Sequence, residues 1–230
     1  MAKKRSKGYR AAAAQVVVGK PYTVAEAATL VKKTSPVKFD ASVDLAFKLN
    51  LDTKQADQQL RGTITLPHGN GKTKKILALT RSKQEEAKAA GADFVGDVDM
   101  LEKIQKENWF GFDVIVATPD MMGQIGRLGR VLGPKGLMPN PKTGTVTPNI
   151  GQAVKEIKAG KVEYRTDKDG NVQLSVGKVS FSEQFLADNI NAVISLIQSV
   201  KPLSVKGVYI HSIHVSSTMG PSVKIAVSTK

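Results

Sequence analysis

The chain has 230 residues, with 34 Lys and Arg, 20 Asp and Glu, and no Cys. This length suggests one large domain or two small ones, and 41% hydrophobic with 23% charged residues is typical of a folded protein. The lack of cysteine excludes a disulfide scaffold, a thiolate zinc site and a cysteine nucleophile. No apolar run approaches the ~18 residues of a membrane span. The apolar stretch after the basic start is also too short for a secretory signal, so we expect a cytoplasmic protein without a membrane partner.

The first segment, up to about residue 66, predicts a helix followed by paired strands. Thr23 and Glu26 have the spacing of a capping box, which predicts a helix that ends near Lys33. Residues 43–51 alternate between apolar and polar side chains, which predicts a strand with one buried face. We interpret residues 62–66 as the partner of that strand.

The middle segment, residues 67–159, alternates between strand-like and helix-like patterns. Apolar runs at 75–80, 93–95 and 112–117 alternate with helical patterns at 82–90, 99–108 and 121–132. Strands that alternate with helices predict parallel βαβ units. Residues 133–148 hold four prolines and three glycines, which predicts a long loop, and Asn149 is expected to cap a helix that Gly160 stops.

The last segment, residues 160–230, returns to antiparallel patterns. Strand-like residues 162–165 and 171–176 flank an Asp-Gly pair, which is a strong hairpin signal. Ser180 and Glu183 have capping-box spacing before an apolar helical stripe, and strand patterns at 207–215 and 223–227 follow. Each outer segment alone is small for a stable core. We therefore expect an α/β protein with a discontinuous α+β domain of residues 1–66 and 160–230, interrupted by an inserted domain of residues 67–159.

The distribution of charge favours a polyanionic partner. Residues 81–120 carry nine acids and five bases, so the rest of the chain carries 29 bases against 11 acids. No acid occurs between Met121 and Lys155, or after Asp188. Solvated surfaces usually mix both signs of charge, so acid-free stretches of this length favour a nucleic acid. A membrane is less favoured, because no basic amphipathic helix stands out.

Motifs for nucleotide binding and catalysis are incomplete. The Gly71-Lys-Thr sequence lacks the glycine that a phosphate-binding loop needs five residues earlier, where Leu66 stands. Gly123, Gly126 and Gly129 do not have the dinucleotide-binding spacing. Histidines, serines and carboxylates form no catalytic or metal-binding pattern. We therefore expect no catalytic residue, no cofactor and no metal, with a nucleotide-binding enzyme built on the central βαβ segment as the alternative.

Two loops carry residues that suit RNA. In the first, Arg127, Arg130, Lys135 and Lys142 stand among glycines and prolines, either as a stiff linker or as cations held against phosphates. The second, residues 216–222, reads Ser-Ser-Thr-Met-Gly-Pro-Ser between two strands. It is either a simple hairpin turn or a surface whose hydroxyls and glycine approach a ribose and its 2′-OH.

Four motifs in order resemble the bacterial large-subunit ribosomal protein L-one family. They are Ala-Thr-Pro-Asp-Met-Met from Ala117, Leu-Gly-Pro-Lys-Gly-Leu-Met-Pro-Asn-Pro-Lys-Thr-Gly-Thr-Val from Leu132, Ala-Asp-Asn-Ile from Ala187 and Ser-Thr-Met-Gly-Pro-Ser from Ser217. The resemblance covers nearly the whole chain. It implies two domains, with both termini in one domain and a Rossmann-like α/β domain inserted.

The resemblance also implies a function and a set of contact residues. The protein would be a structural component of the large ribosomal subunit that is monomeric when free and binds 23S rRNA at the mobile stalk. It would aid the release of exit-site tRNA and repress translation by binding its own operon mRNA. The implied RNA-binding residues are Lys38, Phe39, Ser42, Ser217, Thr218, Met219, Gly220 and Ser222. In this set Lys38 would contact a phosphate, Phe39 and Met219 a base or ribose, and the hydroxyls the sugar edge.

Overall fold

The structure is a computed structural model that describes residues 5–227. The described chain divides into two compact units. The discontinuous unit contains the residues up to Gly71 and those from Val162 onward, and the central unit is Lys72–Lys161. The discontinuous unit is built on antiparallel strands and the central unit on parallel ones, which confirms the predicted α/β class.

The discontinuous unit begins with two helices and two strands. These are α1 (Lys7–Ala13), α2 (Val24–Lys33), β1 (Ser42–Leu49) and β2 (Arg61–Thr65). The predicted capping box opens α2: the Thr23 hydroxyl accepts from the Glu26 backbone N–H, and the Glu26 carboxylate accepts from the Thr23 N–H. Every second residue of β1 is buried, as the alternation in its sequence predicted.

The central unit surrounds a three-stranded parallel sheet with short helices. Its elements are β3 (Ile76–Leu79), α3 (Gln84–Ala89), β4 (Phe94–Gly96), α4 (Val98–Glu107), β5 (Val114–Ala117), α5 (Met122–Ile125), α6 (Gly129–Leu132) and α7 (Ile150–Lys158). Strand β3 lies between β4 and β5 and runs parallel to both, which confirms the predicted βαβ units. The single helix expected over residues 121–132 was wrong. It is broken into α5, α6 and 3₁₀ turns, since a glycine at every third residue weakens a continuous helix.

The chain then returns to the discontinuous unit. The remaining elements are β6 (Lys161–Arg165), β7 (Asn171–Lys178), α8 (Glu183–Ser199), β8 (Ile210–Ser217) and β9 (Val223–Ile225). Four strands form an antiparallel sheet in the order β7-β1-β8-β9, and β2 pairs with β6 in a second sheet. The predicted pairing of β2 with β1 was therefore wrong, because β7 and β8 occupy both edges of β1.

The core of the discontinuous unit lies between the helices and one face of the four-stranded sheet. The α8 stripe buries Leu186, Ile190 and Val193 in the same cluster as Leu45 and Phe47 of β1. Burial of this face fixes which side chains of β1 and β8 point into the core. The antiparallel pairing of Val43 with Ser217 brings the end of β8 beside the start of β1.

The predicted cap of α8 was wrong by two residues. Ser182 caps the helix, since its hydroxyl accepts from the Phe185 N–H at 3.2 Å. The Ser180 N–H and hydroxyl both donate to the Asp40 carboxylate at 3.0 Å. Ser180 therefore connects the segment before α8 to the segment before β1.

Candidate nucleic-acid interface

A strained turn joins β8 to β9 at one end of the four-stranded sheet. The Gly220 N–H donates to the Ser217 carbonyl at 2.8 Å, which closes a four-residue turn. Met219, the third residue, has a φ of 63°, a left-handed conformation that turns of this kind normally give to glycine or asparagine. Such a conformation costs an L-residue about 1–2 kcal/mol. The turn nevertheless holds Met219 in solvent, with 74% of the residue exposed.

The turn is tied to the first residue of β1. The Thr218 N–H donates to the Ser42 carbonyl at 3.0 Å, and the Thr218 hydroxyl donates to the same oxygen at 3.3 Å. Both residues are half-buried. The Thr218 hydroxyl has thus used its proton within the protein, and its oxygen keeps lone pairs to accept from a ligand. The structure therefore brings together two of the predicted residues, Ser42 and Thr218.

A second fixed loop presents Phe39 beside the start of β1. Phe39 is 60% exposed and its neighbour Lys38 is exposed as well. Asp40 ties this loop to the end of β7: its carboxylate accepts twice from Ser180, and its carbonyl accepts from the Lys178 ammonium at 3.2 Å. Sequence reasoning missed Asp40 and Ser180 as supporting residues. They lie 140 positions apart, and no local signal connects them.

Two predicted contact residues have a different role in the structure. Ser217 is only 3% exposed, and its hydroxyl is buried without a hydrogen-bond partner in the described chain, so its side chain does not reach the surface. Gly220 was expected to let the turn approach a ribose closely; the positive φ of the turn belongs to Met219. A Cβ at Gly220 would lie 2.3 Å from the Ser217 Oγ, so the glycine makes room for Ser217. Ser222 is exposed, as a contact residue must be.

The four cations of the predicted basic loop belong to the central unit, but the loop assignment was wrong for two of them, since Arg127 lies in a 3₁₀ turn and Arg130 in α6. Arg127, Arg130, Lys135 and Lys142 are all exposed, and none forms a salt bridge within residues 5–227. The Lys135 ammonium lies 4.2 Å from the centre of the Phe110 ring, a cation–π contact that holds its stem in place. These four cations therefore remain available to an anionic ligand.

Within the described chain, the region of the central unit where a nucleotide would bind lacks free cations and carries carboxylates. Doubly wound sheets bind nucleotides at the carboxyl ends of their strands, where residues 81–86 line an open depression after β3. The first turn of α3 carries Glu85 and Glu86, which would repel phosphates. Arg81 lies 3.7 Å from Asp97, and the Lys83 ammonium donates to a backbone carbonyl. These contacts disfavour the nucleotide-binding alternative.

Residues 5–227 contain no group of three or more His, Asp or Glu side chains placed to hold a metal ion. In the same residues no helix combines the length and the apolar character that crossing a bilayer requires.

The surroundings of His214 in the four-stranded sheet lower its pKa. It lies on β8 between Ala46 of β1 and Lys224 of β9. Burial, and secondly the charge of Lys224, lower the pKa of His214 below its ordinary value. The imidazole is therefore neutral at pH 7 and presents no cation to a ligand.

The fold and the surface define a class of two-unit protein, in which an antiparallel sheet with an exposed end is interrupted along the chain by an α/β unit that carries exposed cations. The model of the Ribosomal protein L1p/L10e family matches residues 31–221. The match covers most of the chain, so the protein belongs to this family of ribosomal proteins. It is a structural constituent of the large ribosomal subunit, associated with the ribosome and its rRNA. The match also confirms the resemblance that the four sequence motifs indicated.

Proposed function

We propose that the discontinuous unit binds 23S rRNA at the mobile stalk through the end of its sheet at the start of β1. The observation that carries this proposal is Met219, an exposed apolar residue in a left-handed turn that is hydrogen-bonded to Ser42. Strained, exposed residues held by a rigid framework are found at binding sites more often than elsewhere. We name the surface formed by Lys38, Phe39, Ser42, Thr218, Met219 and Ser222 the sheet-end surface.

The chemistry of the sheet-end surface suits a folded RNA. Phe39 and Met219 offer apolar area on which a base or ribose can rest, and base stacking is worth about 1–3 kcal/mol in alanine substitutions. The Thr218 oxygen accepts a hydrogen bond from a 2′-OH, which distinguishes RNA from DNA. Lys38 contacts a phosphate, and the absence of acids after Asp188 removes repulsion from this part of the chain.

We propose two further roles beside rRNA binding. We propose that Arg127, Arg130, Lys135 and Lys142 of the central unit contact exit-site tRNA and aid its release. We also propose that the protein represses its own operon by binding, as a monomer, an mRNA element that mimics the rRNA site. A messenger that uses the sheet-end surface must compete with rRNA for it, so free protein represses only when rRNA is scarce.

Alanine variants of the two exposed apolar residues test the sheet-end surface. Phe39→Ala should weaken binding of a stalk fragment of 23S rRNA by roughly 5- to 150-fold, the equivalent of about 1–3 kcal/mol of base–aromatic stacking. Met219→Ala should weaken it severalfold, since a thioether offers apolar contact without ring stacking. The matched control is Leu203→Ala, which removes a fully exposed apolar side chain elsewhere on the same unit. It should change the affinity less than twofold. Unchanged affinity in both Phe39→Ala and Met219→Ala would refute the proposal.

Competition and a charge variant test the other roles. Excess stalk rRNA should displace the operon mRNA completely, and a ternary complex of protein with both RNAs would show separate sites. Arg127→Ala with Arg130→Ala should weaken tRNA binding and leave the affinity for the rRNA fragment within twofold. Equal losses for both RNAs would contradict a separate tRNA surface.

A further inference from the structure

We propose that residues 5–20, here named the N-terminal arm, form a second RNA-contact surface that adjoins the sheet-end surface. This inference rests on the proposed function, because it enlarges the area over which the same RNA is bound. It adds phosphate contacts from the cations of α1 and an apolar contact from two exposed valines. Sequence motifs and family resemblance assigned no role to these residues.

The arm is strongly cationic. The first acid of the chain is Glu26, and the described residues before it include Arg5, Lys7, Arg10 and Lys20. All four are exposed, and none forms a salt bridge within 4.0 Å in the described chain. Six bases without an acid in 25 residues form an electrostatic match for a phosphate backbone.

Aromatic rings hold two of these cations in place. The Arg5 guanidinium lies 4.9 Å from the centre of the Tyr9 ring, and the Lys20 ammonium lies 5.1 Å from that of Tyr22. A cation on a ring keeps its charge and its outward donors, and it loses less side-chain freedom when a phosphate binds. The ring contacts therefore prepare these side chains for an anion.

The end of the arm is fixed beside β9. The Tyr22 N–H donates to the Lys224 carbonyl at 2.9 Å, and the Tyr22 carbonyl accepts from the Ala226 N–H at 2.9 Å, parallel to β9. The Val17 N–H donates to the Tyr22 hydroxyl at 3.0 Å, which folds residues 17–22 into a loop. Tyr22 pairs with Ile225, which lies three strand residues after Ser222, a distance of about 10 Å along β9. The loop that ends the arm is therefore anchored near the sheet-end surface.

The arm also exposes apolar surface between its cations. Val17 is 61% exposed and Val18 is 97% exposed, although Val16 packs against the core. A membrane is a poor occupant, because α1 has only seven residues and buries only Ala12, without the broad apolar face of a membrane-surface helix. The position beside the sheet-end surface favours a sugar or base edge of the same RNA.

Matched charge variants of the full chain test the arm. The test variant is Arg5→Ala/Lys7→Ala/Arg10→Ala. The control is Lys54→Ala/Lys201→Ala/Lys206→Ala, three exposed cations of the same unit. The control cations lie toward the other end of β1: the Lys206 carbonyl accepts from Asn50, which follows the strand, and eight strand residues span about 26 Å. Both variants lose three positive charges, so the non-specific electrostatic attraction between protein and RNA falls equally in both.

The readout is the affinity for the stalk rRNA fragment between 50 and 200 mM salt. Each lost phosphate contact lowers the slope of log K against log salt by about one unit. The arm variant should lose two to three units of slope and at least tenfold in affinity at the lower salt. The control should lose less than one unit. Val17→Ser/Val18→Ser should weaken binding severalfold, and Leu203→Ser should not.

The outcomes separate this inference from the proposed function. Equal slopes for the arm variant and its control would overturn the inference, since only net charge would then matter. An arm variant with wild-type binding, beside a Phe39→Ala variant that binds poorly, would overturn the inference and leave the sheet-end surface standing. If neither variant loses affinity, both proposals fail. Arm-dependent binding to anionic phospholipid vesicles, without an effect on RNA, would show a membrane contact and also overturn the inference.

Discussion

Replacement of Gly220 by alanine tests whether this residue serves packing or recognition. A Cβ at this position would lie 2.3 Å from the Ser217 Oγ and 3.3 Å from the Ser217 carbonyl oxygen. A contact of 2.3 Å to a Cβ does not occur in folded proteins, so the turn or the Ser217 side chain must move. Because Ser217 is only 3% exposed, its hydroxyl has little room to rotate. We expect Gly220→Ala to lower the free energy of unfolding by about 1–3 kcal/mol, the usual range for overpacking.

Ser217→Ala supplies the matched partner for a double-mutant cycle. The Ser217 hydroxyl has no hydrogen-bond partner in the described chain, so its removal should leave stability unchanged or raise it by up to about 1 kcal/mol. The removal also deletes the atom that clashes with the new Cβ. The remaining Ser217 Cβ would lie at 3.5 Å, an ordinary van der Waals distance. In the Ser217→Ala background, Gly220→Ala should therefore cost less than about 1 kcal/mol.

Urea denaturation of the four proteins measures the coupling energy between the two positions. The expected value is about 1–2 kcal/mol, within the range found for residues in contact. A cost of Gly220→Ala that is the same in both backgrounds would refute the packing argument. If Gly220→Ala instead keeps full stability and binds RNA poorly, the glycine serves the approach of the RNA.

Three further substitutions test single features of the same sheet. Thr218→Val removes the hydroxyl that donates to the Ser42 carbonyl but keeps the hydrogen bond from the Thr218 N–H, so the free energy of unfolding should fall by at most about 1.5 kcal/mol and RNA affinity should fall severalfold. A loss above about 3 kcal/mol with unchanged RNA binding would show a structural role. Met219→Gly relieves the left-handed strain, so denaturation should show unchanged or slightly higher stability while filter binding shows weaker RNA binding; lower stability would contradict the strain. The pKa of His214 is lower in the folded protein than in the unfolded chain, so the free energy of unfolding should fall as the pH drops below about 6.5. Lys224→Met should raise the pKa of His214 in an NMR titration. An unchanged pKa would show that burial alone lowers it.

Periodicity predicted the elements of this fold better than it predicted their partners. The alternating pattern of β1 and the helix opened by Thr23 and Glu26 are local properties, and both were confirmed. The pairing of β2 is not local: it joins β6, about one hundred residues further along the chain. No single-sequence pattern distinguishes that partner from β1, because all three strands have similar alternation.

The same limit applies to the supporting residues of the sheet-end surface. Sequence spacing assigned the cap of α8 to Ser180, but Asp40, from a distant part of the chain, binds Ser180, and Ser182 caps the helix. The sequence motif around Thr218 indicated a contact surface. It did not reveal that Ser217 points inward, that Met219 is left-handed, or that Gly220 is needed for packing.

The turn after β8 combines two local features that folding alone does not favour. Ser217 buries a hydroxyl without a partner in the described chain, and Met219 adopts a conformation that would cost glycine nothing. Selection for stability alone would place alanine at residue 217 and glycine at residue 219. Each change would raise the free energy of unfolding by up to about 1 kcal/mol. Such conflicts between local preference and fold concentrate where a ligand is bound. The proposed contact with RNA would resolve the second conflict, because glycine lacks the side chain that Met219 exposes at this turn.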